Sequence, residues 1–274
     1  MNTIPLIAYV AAAGLYAAFF VTGRASIGRV ASTVLAGGAL LHTFAMGMQT
    51  MSIGHVPIAD TTSAISTFVW LLAIAYLYTE MTTEERAMGV FIVPLLVALQ
   101  AIPAIRPGLE HRAPILESPW FGVHVASLLF AYASFALACV IGITYVLLFK
   151  EIKAKHLGFF YKRLPSLQRL DAMNVRAVTV GWLFLTIGVV VGGIWTVQAR
   201  ADAVLDPRIR AMSILDPKIA VAMLSWAIYS FQLYARRAIG WSGRRAAWLS
   251  TVGFGIVLLN FVAVGYFLTK SHNF

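Results

Sequence analysis

The chain has 274 residues, 60% of them hydrophobic and 12% charged, with a mean hydropathy of +0.81. Soluble domains are roughly 45–50% apolar and about 25% charged, so this composition excludes a soluble globular protein, a disordered chain and a disulfide scaffold. Lysine and arginine total 21 against 11 acidic residues, a net charge of +10 that in a membrane protein reports topology rather than nucleic-acid binding.

Crossing the hydrocarbon core takes about 20 mostly apolar residues. In lipid such a run has to be helical, because its backbone groups find no water to bond. Eight runs qualify, at about 4–22, 30–51, 63–79, 88–105, 120–149, 177–198, 218–235 and 246–269. The sequence therefore predicts an all-α integral membrane protein, a single polytopic domain over 1–274 with eight transmembrane helices. The fifth run is long enough to tilt or to project beyond the bilayer. Arg24, Arg29, Arg86, the seven basic residues from Lys150 to Arg176, and Arg236, Arg237, Arg244 and Arg245 fall on one side of these spans. They make 14 basic residues against 7 on the other side. The positive-inside rule puts the richer set in the cytoplasm and both termini outside, in the cytoplasmic (inner) membrane of a bacterium. No cleavable signal peptide is expected, since no basic segment precedes the first apolar run.

Two connections exceed the usual length. The basic cytoplasmic loop 150–176 sets Phe159, Phe160, Tyr161, Leu164, Leu167 and Leu170 among its charges. It reads either as a helix resting on anionic headgroups or as a docking surface for a soluble partner. The external loop 199–217 carries Asp206-Pro207 and Asp216-Pro217, each with aspartate as N-cap and proline at the first helical position, so a short surface helix is expected from 207. Glu80, Glu84 and Glu85 fall in the loop after the third span, which leaves no charged residue expected mid-span. The lone cysteine, Cys139, excludes an intramolecular disulfide.

Of six histidines, only His42 is placed inside the membrane, roughly 20 Å from the cytoplasmic boundary. An ionisable residue at that depth marks a function by default. With Met46, Met48 and Met51 nearby it reads as a haem ligand with a thioether partner, or as a neutral histidine bonded to a neighbouring helix. His124 lies at the outer end of the fifth span and His272 beyond the eighth, so both face the same side. Two imidazoles there suit one metal or the two axial positions of a haem iron, with Trp120, Phe121 and Trp195 as the aromatic wall. The plainer reading makes His124 an interfacial anchor and His272 part of a frayed tail. No Walker motif or HExxH pair occurs, and Ser63, Ser66 and Ser127 lack a nucleophile's context. No independent catalytic activity is expected.

The stretch 119–274 carries further signals. Trp120-Phe121-Gly122-Val123-His124 leads into Leu129-Phe130-Ala131-Tyr132-Ala133 and is followed by Arg163-Leu164-Pro165 and Leu185-Thr186-Ile187-Gly188. Gly193-Ile194-Trp195, Asp216-Pro217-Lys218, Ser225-Trp226, Gly240-Trp241 and Gly253-Phe254 come next, in order. This half resembles the cytochrome c assembly family of membrane haem-handling proteins (the CcsA, ResC and CcmC group), and is most similar to its HemX-like branch. The resemblance implies haem as cofactor, held at the outer face between flanking histidines that match His124 and His272. The implied partners are apocytochrome c, other cytochrome c maturation proteins and the lipid membrane, with no nucleic acid. His42 matches the second-span histidine that some members use. Leu215 and Ile219 stand where the family's external motif has tryptophan and glutamate, and Tyr234 stands at the second intramembrane histidine. A HemX-like regulatory or structural subunit that no longer binds haem is the alternative.

Overall fold

Each apolar run ends on a local stop. Gly23 (φ +67°) closes the first helix and Gly54 (φ +84°) the second, in left-handed conformations that cost glycine nothing. Asp60 opens the third, its carboxylate accepting from the backbone N–H groups of Thr62 (2.9 Å) and Ser63 (3.1 Å). The computed structural model describes residues 2–58, 60–106, 118–155, 158–202 and 217–259, without the side chains of 198–202, 217, 218 and 259. Among them are eight helices and no strand: α1 (Thr3–Thr22), α2 (Ala25–Ile53), α3 (Thr61–Thr83), α4 (Gly89–Ile105), α5 (Pro119–Lys153), α6 (Leu167–Asp202), α7 (Pro217–Ala238) and α8 (Arg244–Leu259). Five of these, α1, α2, α3, α5 and α6, are long and apolar enough to cross a bilayer, while α4 is apolar but only 17 residues long. The chain is thus an all-helical, multi-pass membrane protein.

Helix α5 is the centre of the bundle, packing on α3, α6 and α8. Its neighbours come close because small residues face it, as lipid-embedded helices require. A Cβ on Gly181 of α6 would lie 2.5 Å from the ring of Phe135, and one on Gly142 would lie 2.8 Å from the Ala247 carbonyl of α8. Phe135 in turn stacks on the fully buried Tyr229 of α7, with ring centroids 3.6 Å apart. The α1–α4 half joins through α3 and α4.

Two expectations need correction. Residues 150–176 are not one long loop: α5 continues to Lys153, and α6 starts at Leu167, ten residues before the expected sixth span. Leu167 and Leu170 are the first turn of a spanning helix, with Leu170 fully buried, rather than part of a helix lying on headgroups. What remains of the connection is tied down. Phe159 packs on Phe20 and Phe160 on Phe91, while Arg163 donates to the Phe20 carbonyl (2.9 Å). The second correction concerns Glu80, expected in a loop. It belongs to α3, is 3% exposed, and accepts hydrogen bonds from Tyr16 (2.6 Å) and Ser32. Helix α3 runs about four residues past its apolar run, with the Thr82 and Thr83 hydroxyls bonding back to carbonyls one turn earlier, and hydroxyls on α1 and α2 solvate the carboxylate there. At the other connection, α6 runs on to Asp202. The surface helix expected from 207 and the end of the eighth span, 260–269, lie outside the described residues.

Basic connections gather at one end of the bundle. Besides Arg163 on α1, Arg169 pairs with Glu85, Arg176 donates to the Thr82 carbonyl (2.7 Å), and Arg236 forms a bidentate pair with Asp171 (3.0 and 2.8 Å). Asn174, Gln232 and Ser250 bond one another within the α6–α8 packing, and Asn174 also donates to the Ala138 carbonyl of α5 (2.8 Å).

Candidate functional site

His124 sits in the second turn of α5, where α5 and α6 run antiparallel. Along the contact His124 meets Gly188 and Gly192, Phe130 meets Phe184, and Phe135 meets Gly181, one index rising as the other falls. Gly192 leaves the space the imidazole fills: a Cβ there would lie 2.4 Å from both Cε1 and Nδ1 of His124. The same ring makes a 2.7 Å hydrogen bond from Nδ1 to the Gly188 carbonyl. A carbonyl only accepts, so Nδ1 carries the proton and the lone pair is on Nε2. This is the outer-partner arrangement that orients metal-binding histidines and fixes their tautomer.

The aromatic residues divide into two groups around His124. Trp195, one turn beyond Gly192, is 5% exposed and its ring lies 5.3 Å from that of Phe121, tilted by 54°. It backs the site from inside the α5–α6 packing. Trp120 is 45% exposed and presents an indole outward at the start of α5. His272 lies outside the described residues, as do His111 and His156. His55, near the end of α2, bonds through Nδ1 to the Val56 carbonyl (2.9 Å).

His42 is fully buried elsewhere, among α1, α2 and α3. Its Nδ1 is 3.0 Å from the Tyr9 hydroxyl and its Nε2 is 3.0 Å from the Ser66 hydroxyl. Ser66 continues to Gln100 on α4, and the Gln100 amide donates to the Asn2 carbonyl at the start of α1 (3.3 Å). A neutral imidazole has one donor and one acceptor, and this chain satisfies both when Tyr9 donates to Nδ1 and Nε2 donates to Ser66. To ligate iron, His42 has to release one of these partners. Met46 is buried near it in sequence, whereas Met48 and Met51 are exposed. Sequence reasoning missed Tyr9 and Gln100 as partners; polar residues one helix away carry no periodic signal. His42→Leu is expected to strand the Tyr9 hydroxyl in an apolar interior, at about 1–3 kcal/mol, while Ser66 keeps its bonds to Gln100. A lowered thermal midpoint in detergent, with His42→Gln falling less, checks this.

Among the described residues, no group of three or more His, Cys, Asp and Glu side chains is placed to hold a metal ion. Helices of this length, packed through glycines, define a multi-pass membrane protein. The chain belongs to the cytochrome c assembly protein family, whose profile matches residues 6–272. It is 23% identical over 263 residues to the cytochrome c biogenesis protein CcsA of Guillardia theta, covering 89% of this chain and 84% of that one. The CcsA of Synechococcus sp. strain RCC307 is 23% identical over 279 residues (92% and 86% of the two chains). That of Heterosigma akashiwo strain NIES-293 is 25% identical over 254 residues (80% and 76%).

Proposed function

We propose that this protein handles haem during cytochrome c maturation, presenting it at the extracytoplasmic face of a bacterial cytoplasmic membrane for attachment to apocytochrome c. The observation that carries this reading is the Nδ1 hydrogen bond of His124 to Gly188, which turns the Nε2 lone pair into an iron ligand of fixed orientation. His272, which follows the eighth span in sequence, would supply the second imidazole. Haem is cargo here, and His124 and His272 would hold its iron through imidazole nitrogens. The chain's part is to bind, orient and exclude. Gly192 seats the imidazole, Trp195 and Phe121 stiffen the wall behind it, and Trp120 offers an exposed indole for the porphyrin face.

Eight spans with both termini outside fit this reading. The contacts of Arg163, Arg169, Arg176 and Arg236 draw the basic connections to one end, the cytoplasmic one by the positive-inside rule. His124 is then on the outer rim. Other cytochrome c maturation proteins are the expected partners, and the chain needs no reaction chemistry of its own. A second reading, a HemX-like subunit that no longer binds haem, draws on Ile219 and Leu215 in the external motif. Its docking surface would be the basic stretch 150–176, in which Phe159, Phe160 and Arg163 are packed against or bonded to α1 and α4.

Visible absorption of the purified protein loaded with haem tests the proposal. The wild-type chain is expected to show the Soret band of six-coordinate haem, and the double variant His124→Ala, His272→Ala to lose it. An unchanged band and affinity in the double variant overturns the site.

A further inference from the structure

The last turn of α5, the α7–α8 connection and the first turn of α8 border an open surface pocket of about 510 Å³. It is lined by Phe149, Lys153, Trp241, Ser242, Arg244 and Arg245. Lys153 is 29 residues along α5 from His124, roughly 44 Å at helical rise, so this pocket is at the opposite end of the bundle from the haem site. Nothing in the haem reading uses it. The three cations come from two helices, and only the fold brings them together.

The pocket's charge is uncompensated. Among the described residues, no carboxylate lies within ion-pair distance of Lys153, Arg244 or Arg245. Asp171, at its edge, accepts from the Gly243 N–H (2.8 Å) and is neutralised by the bidentate pair with Arg236. Glu151, on the same turn of α5 as Lys153, accepts from the Tyr161 N–H (2.9 Å). Both guanidinium groups are held over rings, Arg244 at 5.4 Å from the Phe149 centroid and Arg245 at 5.2 Å from that of Trp241. A planar cation fixed in this way loses less freedom when it binds an oxyanion, and its donors match phosphate geometry. The amino-terminal end of α8 adds the positive pole of its helix dipole to the same space.

The surroundings favour a phosphate that carries acyl chains. Phe231, whose ring meets Trp241 at 5.6 Å, is 44% exposed, and Trp248, one turn beyond Arg244, is 51% exposed. Apolar surface therefore continues from the pocket along the helices, where a lipid's chains would lie, and an indole at the pocket mouth suits the headgroup boundary. We propose that this pocket binds the phosphate headgroup of an anionic phospholipid, held by Lys153, Arg244 and Arg245. Basic pockets between transmembrane helices on the cytoplasmic side are suited to such headgroups.

The test is native mass spectrometry of the delipidated full chain titrated with phosphatidylglycerol or with phosphatidylcholine of the same acyl chains. One phosphatidylglycerol is expected to be retained per chain, with a preference of about tenfold or more over phosphatidylcholine. The triple variant Lys153→Gln, Arg244→Gln, Arg245→Gln is expected to weaken retention by about tenfold or more. A control triple, Lys150→Gln, Lys155→Gln, Lys162→Gln, removes equal charge from the same end and is expected to change it by less than about twofold. Equal losses in the two triple variants, or equal retention of the two lipids, overturn the proposal. Displacement of the lipid by inorganic phosphate at comparable affinity assigns the pocket to free phosphate and also overturns it. Should the pocket triple fail to fold, indole quenching by brominated phosphatidylglycerol decides: Trp241→Phe is expected to remove part of the quenching, and undiminished quenching overturns the site.

Discussion

Replacing Glu80 with alanine is expected to destabilise the amino-terminal half by about 3–5 kcal/mol, a large share of the roughly 5–15 kcal/mol that holds a domain together. The carboxylate is 3% exposed and is the point where three helices meet. Tyr16 of α1 donates to one oxygen at 2.6 Å, Ser32 of α2 donates to the other, and the Arg86 guanidinium stands 3.7 Å away while also donating to Ser32 (3.1 Å). Removing the carboxylate leaves the buried Tyr16 hydroxyl without its acceptor and the half-buried Arg86 without its counter-charge, with only the Ser32 hydroxyl left to accept from it. Tyr16 has no room to turn away, since a Cβ on the neighbouring Gly89 would already lie 2.2 Å from its ring and Tyr76 meets it edge-on at 5.9 Å. Glu80→Gln keeps an acceptor and the shape, so it is expected to cost about 0.5–1.5 kcal/mol. Thermal unfolding in detergent followed by circular dichroism reads both. Equal midpoints for the alanine and glutamine variants would show that the carboxylate contributes only its volume.

The helices were legible in the sequence because lipid imposes one rule on every apolar run. The starts and stops followed where a glycine or an N-cap stood at the end, as at Gly23, Gly54 and Asp60. They failed where helix continued through polar residues: Glu80 and the segment 167–176 carry charges that hydropathy reads as loop, yet tertiary partners satisfy them. The candidate site was half legible. His124 could be placed near Trp120 and Trp195 by counting turns, and Gly188 and Gly192 could be read as close-packing residues. That the two glycines act on the imidazole itself, one by its carbonyl and one by its missing Cβ, depends on the α5–α6 register, which no periodicity encodes. Tyr9 and Gln100 as partners in the network of His42 escaped notice for the same reason. The pocket at Lys153 and Arg244 did too, because counting positive charges gives a side of the membrane and not a shape.

Gly192→Ala is expected to weaken haem binding by about 10- to 100-fold while leaving the helices intact, the range seen when the outer partner of a metal-binding histidine is lost. Alanine favours helix over glycine by roughly 1 kcal/mol, so a loss cannot be put down to unwinding of α6. The added methyl falls 2.4 Å from Cε1 and Nδ1 of His124, well inside van der Waals contact, and the ring has to rotate off the Gly188 carbonyl. Once that bond is broken, the Gly188 carbonyl no longer selects the tautomer. Gly193→Ala supplies the matched control, because a Cβ on Gly193 meets no atom within 4 Å. It makes the same chemical change one residue away and is expected to bind haem as the wild-type chain does. Titration with haem, read at the Soret band, separates the two. If Gly192→Ala and Gly193→Ala bind equally, the imidazole of His124 is not the group that holds the iron, since displacing it would have had no effect where the geometry demands the largest one.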